Sequence, residues 1–277
     1  MDFFKYNSNG NDFIILDDRK DSIESFLSKP FNLSGKKRQT KKESQIAKNI
    51  QKLCSRQFYI GADGLILLQT SKVADFKMKV FNSDGFEADM CGNALLCLAK
   101  FIHDFIDKKN EILIETKVAL YKTYLKDSFV SFTSKKPKIL KTDYKINIES
   151  KNLNLQIVNS GVFHGVTFVD NIKDIDVFKM GQKIRYLKDF APHGVNVNFC
   201  EILKKNEIKV RTYEKGVEDE TYCCLTGAIA VANAYKRKKD VATLLLHFKG
   251  GNVIVQFEND LIKLSTKPFF AYKGLIS

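Results

Sequence analysis

Two stretches constrain this chain more than any other feature: FNSDGFEADMCGNALLCLAKF (81–101) and YEKGVEDETYCCLTGAIAVANAY (213–235). In each, a polar turn and a cysteine precede a run whose apolar side chains recur on nearly every side of a helix. Such a helix has no solvent face and belongs inside its own hydrophobic core. One lies in each half of a 277-residue chain, which is long enough for two domains of moderate size.

The segments around each helix read as strands. FFKYNSNGNDFIILDDR gives strand, turn, strand, with SNGN as the turn. GADGLILLQ gives a turn and a buried strand, FKMKVFN a further strand, and ILIETKVALYKTYLKDSFVSF a return to strands. Residues 44–55 place apolar side chains at 46, 50, 53 and 54, a helical spacing. The second half repeats the plan. LQIVNSGVFHGVTFVD is strand, turn, strand; VNVNFCEIL and IKVRTYEKG are strands; HFKGGNVIVQFENDLIKLST reads as a hairpin-like pair. The repeat is one of architecture, not of letters. The expected fold is therefore α+β, with two similar domains, each strand-rich around a buried central helix, and an active site in the cleft between them. The first domain is expected to span 1–126 with 265–277 packing back on it, and the second 127–264.

Composition narrows the function classes. No apolar run approaches the length of a membrane span, and the N-terminus lacks the charged and apolar regions of a signal peptide, so a cytoplasmic protein is expected. The formal net charge is +13, concentrated in KKRQTKK (36–42), KKPK (135–138) and KRKK (236–239). Charge alone points to a solvated surface; nucleic-acid binding is the weaker reading, since no RNA-binding aromatic signature or helix-turn-helix pattern accompanies it. KKRQTKK falls in a polar stretch that reads as a loop. The six cysteines form no C-x-x-C pair and the four histidines are scattered, so neither a zinc site nor a disulfide framework is expected. No phosphate-binding loop or dinucleotide fingerprint is present, so no cofactor is expected.

Cys54, Cys97, Cys200 and Cys223 read as small core hydrophobes. Cys91 and Cys224 differ, because each sits in turn chemistry at a helix start. The first N–H groups of a helix lack intrahelical partners and carry partial positive charge. They can bind a carboxylate, and they lower the pKa of a nearby thiol. Two such helix starts facing one cleft could hold one anion between two thiols. That suits removal of the α-proton of an amino acid by a base on one face and its replacement by an acid on the other.

The motifs carry a resemblance as well. NGNDFIILD (9–17), IGADGLILL (60–68), NSDGFEADMCGN (82–93), GVNVNF (194–199) and YEKGVEDETYCCLTGA (213–228) resemble, in order and over nearly the whole length, the diaminopimelate epimerase family. This is a family of cofactor-independent, two-cysteine enzymes of lysine and peptidoglycan synthesis. The resemblance implies Cys91 and Cys224 as the acid/base thiols. It implies Gly92, Asn93 and Thr226 around the reacting carboxylate, and Asn11, Asn82 and Asn196 as substrate hydrogen-bonders. It places Glu214 near the reacting amine and His164 near the thiols, with Gly227 in support. It also implies a small amino acid substrate, diaminopimelate, and a homodimer.

The chain departs from the family's pattern in places. Lys215 stands where arginine is usual, and a lysine is a point charge rather than a bidentate fork. Val162 replaces an asparagine, Leu225 a glycine, and Ser8 a frequent glycine. The first two weaken recognition of the distal end of the substrate, which leaves a broader or different amino acid racemase as the alternative. A proline-racemase-type enzyme shares the two-thiol logic, but GNDF and GADG fit it poorly. Thiols facing each other across a closed cleft would also be open to inactivating oxidation.

Overall fold

The computed structural model describes residues 1–29 and 42–276. Chain order runs β1 (Asp2–Ser8), β2 (Asn11–Asp17), α1 (Ile23–Leu27), α2 (Lys42–Cys54), β3 (Gly64–Gln69), β4 (Phe76–Asn82), β5 (Glu87–Ala88), α3 (Gly92–Phe105), β6 (Glu111–Glu115), β7 (Leu120–Lys126) and β8 (Phe129–Lys135). It continues with β9 (Lys138–Ile148), β10 (Lys151–Asn159), β11 (Phe163–Phe168), α4 (Val177–Arg185), β12 (Asn196–Lys204), β13 (Glu207–Glu214), β14 (Asp219–Thr221), α5 (Leu225–Lys236), β15 (Thr243–Phe248), β16 (Gly251–Glu258), β17 (Leu261–Thr266) and β18 (Phe269–Leu275). The Lys-rich run 36–42 lies, Lys42 apart, outside the described residues. No helix among them is long and apolar enough to cross a membrane.

Two compact units divide the chain: Met1–Phe132 with Lys267–Ser277, and Thr133–Thr266. The division falls past residue 126, because β7 and β8 pair antiparallel through Lys126 and Phe129 and stay together as a hairpin.

In the first unit β1 and β2 form a hairpin whose turn residues, Asn9 and Gly10, both have positive φ (53° and 84°). An Asn-Gly pair with that twist is the favoured two-residue hairpin turn. β2 then pairs parallel with β3, β3 antiparallel with β4, β4 antiparallel with β5 and parallel with β6, and β6–β7–β8 close as an antiparallel meander. One face of these strands packs with α1 and α2: Phe3, Ile14, Leu16, Leu65 and Leu67 meet Ile23, Leu27, Ile50 and Leu53. The other face meets α3, where the Phe4 and Phe101 rings lie 4.7 Å apart and the Tyr6 hydroxyl donates to Asp104 at 2.7 Å. Strands covered on both faces read as unbroken apolar runs, which is why FIIL and LILL show no alternation. Burial of a side chain such as Phe101 contributes about 1.5–3 kcal/mol. α3 is buried on all sides from Asn93 to Ala99, while its last turn reaches solvent through Phe105.

The second unit has the same pairing sequence. β10 and β11 are antiparallel, β11 and β12 parallel, β12 and β13 antiparallel, β13 and β14 antiparallel, β13 and β15 parallel, and β15–β16–β17 antiparallel. The segment from His247 to Thr266 thus holds parts of three strands, not the expected pair, because Asn259–Asp260 makes a second tight turn between β16 and β17. α5 follows β14 as α3 follows β5. One further strand completes each unit. β9 precedes β10 directly and pairs with it, whereas β18 returns from the C-terminus to pair with β1. The units therefore share one topology, and Cys91 and Cys224 occupy equivalent positions within it. KRKK lies at the end of α5, where Lys236 donates to the Val241 carbonyl at 2.9 Å.

Candidate active site

Each thiol is the residue preceding the first turn of its buried helix. Cys91 is extended (φ −135°, ψ 118°) ahead of α3, and Cys224 (φ −116°, ψ 112°) ahead of α5.

In the first unit the Cys91 thiol donates toward Oδ1 of Asn11 at 3.8 Å. Asn11 opens β2, and its Nδ2 donates to Asp63 at 2.8 Å, which fixes the face its carbonyl presents. Asp63 also takes Arg56 at 2.8 Å and the Asp12 N–H at 3.1 Å. Burial alone would raise the Asp12 carboxyl; hydrogen bonds from Arg56 and Lys5 outweigh it and hold Asp12 far below the usual carboxylate range. Asn82 is exposed at the end of β4 opposite Gly64, and the next residue, Ser83, donates its N–H to the Asp63 carbonyl at 3.0 Å. Asn93, buried in the first turn of α3, accepts from Ser8 at 3.2 Å. Ser8, at the usual glycine position, therefore makes a polar contact with the helix start. The first motif, the GADG turn and the N-terminal hairpin meet at one end of this unit.

In the second unit the sulfur of Cys224 lies between acceptor and donor groups. Gly227 donates its N–H to Sγ at 3.4 Å, and the Thr226 hydroxyl is 3.3 Å away. Glu214, at the end of β13, accepts from Thr221 at 2.9 Å. Burial raises its carboxyl, and hydrogen bonds from Thr221 and the Cys224 thiol partly offset that. Glu214 therefore lies beside the thiol itself. Its carboxylate can accept the thiol proton, while Thr226 and Gly227 can donate to the sulfur once it is a thiolate.

His164 is fully buried in β11 and is not a turn residue. Its Nε2 lies 3.1 Å from the Thr226 hydroxyl and its Nδ1 3.0 Å from the Asn198 amide nitrogen. Burial lowers its pKa from 6.5 to about 3, so the imidazole is neutral at pH 7. An unfolded chain binds this proton below about pH 6.5 and the folded one does not. The resulting stability is complete above that pH and is lost as pH falls toward 3, a difference on the order of 4 kcal/mol. Urea unfolding followed from pH 7 to pH 4 should show a decline that His164→Gln reduces. Parallel curves for the two proteins would contradict it.

Asn196 and Lys215 are joined to each other. The Asn196 carbonyl accepts the Lys215 backbone N–H at 2.7 Å and its Nδ2 donates to the Phe163 carbonyl at 3.3 Å. Asn196 thus ties the start of β11 to the β13–β14 turn, in which the Lys215 side chain is exposed. Val162 is 40% exposed, whereas Leu225 is buried at the start of α5. Cys54, Cys97, Cys200 and Cys223 are buried. Burial pushes the Cys54 thiol up to about 12 and raises Cys97 and Cys200 too, which keeps all three protonated.

Asp63, Asn198, Thr212 and Thr221 complete these networks and did not stand out in the sequence. The available signal is VNVNF: Val195, Val197 and Phe199 face the core, so Asn196 and Asn198 share the opposite face.

Solved structures share this architecture. The chain is similar to a PhzF-family phenazine biosynthesis protein of Bacillus anthracis (TM-score 0.70, 16% identity, covering 100% of this chain and 99% of that one). It is also similar to a hydroxyproline epimerase from Agrobacterium vitis with bound trans-4-OH-L-proline (TM-score 0.66, 13% identity, covering 99% and 91%). These likenesses show the fold. Among relatives in sequence is a diaminopimelate epimerase of Aquifex aeolicus (strain VF5), 34% identical over 292 residues, covering 100% of this chain and 98% of the relative. Another is that of Flavobacterium psychrophilum, 36% identical over 264 residues, covering 94% and 92%. Fold, site and relatives define an isomerase of the epimerase and racemase class. The sequence profile described as Diaminopimelate epimerase matches residues 3–133 and 156–267, and the chain belongs to that family.

Proposed function

We propose that this protein interconverts LL- and meso-2,6-diaminopimelate by two-base proton transfer, with Cys91 and Cys224 as the two bases. The observation that carries this is the equivalence of the two thiols: each precedes the buried helix of its unit at the same point of one topology. In this mechanism a thiolate removes the α-proton and the other thiol returns one to the opposite face. The roles exchange with the handedness of the substrate. The N–H groups at the starts of α3 and α5, from Gly92, Asn93 and Thr226, bind the reacting carboxylate and stabilise the charge that develops beside it. Glu214 takes up the proton of Cys224, and Asn11 orients the Cys91 side with Asn82 nearby.

At the distal end Lys215 supplies a point charge in place of a guanidinium fork. The exposed Val162 offers no hydrogen bond, which favours, as a second reading, a broader set of amino acid substrates. The proposed place is lysine and peptidoglycan precursor synthesis, in a cytoplasmic homodimer. Exposed Phe269, Phe270, Tyr272 and Leu275 along β18 support a protein partner on that strand.

The test is α-proton exchange in heavy water, with reduced protein and LL-diaminopimelate or a panel of L-amino acids. Deuterium at the α-carbon with inversion of diaminopimelate is expected. Exchange confined to another amino acid would move the function to that substrate, and no exchange with intact thiols would remove the reaction.

A further inference from the structure

The Cys224 network contains an asparagine whose hydrogen bonds fix a direction. Asn198 is fully buried in β12. Its Nδ2 lies 3.0 Å from Nδ1 of His164 and 3.4 Å from the Gly165 carbonyl, while its Oδ1 accepts from Thr212 at 3.0 Å. The Gly165 carbonyl can only accept, so the amide atom facing it must be the nitrogen. The same nitrogen then donates to Nδ1 of His164. A neutral imidazole that accepts at Nδ1 carries its proton on Nε2. That proton points at the Thr226 hydroxyl oxygen, 3.1 Å away. With its oxygen accepting from His164, Thr226 has its own proton to give to Sγ of Cys224 at 3.3 Å. Packing supports the alignment: a Cβ at Gly227 would lie 2.6 Å from Oδ1 of Asn198, so the helix start rests on the amide only because residue 227 has no side chain.

We propose that Asn198 is a positioning residue of the epimerase site: it holds His164 as the Nε2–H tautomer and so directs the Thr226 hydroxyl proton to the sulfur of Cys224. The inference rests on the reading of Cys224 as one of the two acid/base thiols. It concerns the thiolate form, the state in which a donated hydrogen bond to sulfur matters most. Asn198 itself touches no reacting atom.

The direct test is long-range proton–nitrogen NMR of the full chain labelled with ¹⁵N-histidine, at pH 7. The His164 signals are assigned by their loss in His164→Gln. The expected pattern is a proton on Nε2 alone. A proton on Nδ1, or on both nitrogens, overturns the proposal without any change at Asn198. Asn198→Asp is the matched variant, because a carboxylate only accepts and should move the proton to Nδ1. The Thr226 hydroxyl must then donate to His164 instead of to sulfur, and α-proton exchange is expected to fall about tenfold. A moved proton with an unchanged exchange rate overturns the link to Cys224. Should the aspartate prevent folding, Thr226→Val removes the same donor, and Thr226→Ser, which keeps the hydroxyl, is expected to exceed it about tenfold in exchange rate. Equal rates for those two variants overturn the proposal. Wild-type turnover in Cys224→Ser would sink the role of the thiol, while the histidine tautomer would still report separately on Asn198.

Discussion

Serine at either position 91 or position 224 is expected to lower turnover of LL-diaminopimelate about 10²–10⁴-fold, the range lost with a positioned general acid or base. A hydroxyl is too weak an acid to be ionised near neutrality, so it can neither remove the α-proton nor return one efficiently. A helix start acts on a serine hydroxyl as it does on a thiol, but from a reference pKa far too high to be useful. Both faces of the carbon are needed for inversion, so the two variants should fail to similar extents. The fold should survive. Serine is smaller than cysteine, and at 224 it can still accept the Gly227 N–H that now reaches Sγ. Circular dichroism and urea midpoints close to wild type, combined with near-absent inversion, are the expected results. Turnover within about tenfold of wild type in either variant would rule out that thiol as an acid/base group.

The parts of this site that were legible are those where a local signal conflicts with its surroundings. Cys91 and Cys224 are thiols in turn chemistry ahead of helices with no polar face, and both prove to precede those helices directly. The Asn9–Gly10 hairpin and the continuous FIIL and LILL strands were legible for the same reason: turn residues and two-sided burial leave marks in adjacent letters. Other features depend on partners distant in sequence. Asn198 is one polar residue within a strand, and its role follows from His164 and Thr226, both more than a strand away. Asp63 reads as part of a glycine turn, yet it orients Asn11 from the turn ahead of β3, the parallel neighbour of β2. β9 is mostly exposed, so its alternation is diluted by Lys138, Lys141 and Lys145. α4 carries Val177, Met180 and Ile184 at helical spacing, but the polar residues between them kept the stretch from standing out against the apolar helices. Asn196 was expected to meet substrate. Its amide also accepts the Lys215 N–H beyond the antiparallel pair β12–β13 and donates to the Phe163 carbonyl across the parallel pair β11–β12, contacts that no local pattern encodes.

Gly85→Ala is expected to cost about 2–5 kcal/mol of stability, from a left-handed backbone of about 1–2 kcal/mol and overpacking of about 1–3 kcal/mol. Gly85 has φ +86° in the turn that leads to Cys91, and its N–H donates to the Asn82 carbonyl at 2.9 Å. A Cβ there would lie 2.3 Å from the Ala47 carbonyl oxygen and 2.7 Å from the Ala47 Cα, so it meets the backbone of α2 and not a side chain that could rotate away. The Gln51 side chain holds the same turn through the Asp84 carbonyl at 2.7 Å. Turn and helix must therefore separate, which moves β5 and the chain into Cys91, and a displacement near 1 Å at a reacting group can lower rate about 10²-fold. Gly216→Ala is the control. Gly216 has φ +91° but nothing within 4 Å of a built Cβ, so only the backbone cost of about 1–2 kcal/mol applies. Urea unfolding of both variants separates the two contributions. If Gly85→Ala loses no more stability than Gly216→Ala, the close approach of this turn to α2 does not constrain the position of Cys91.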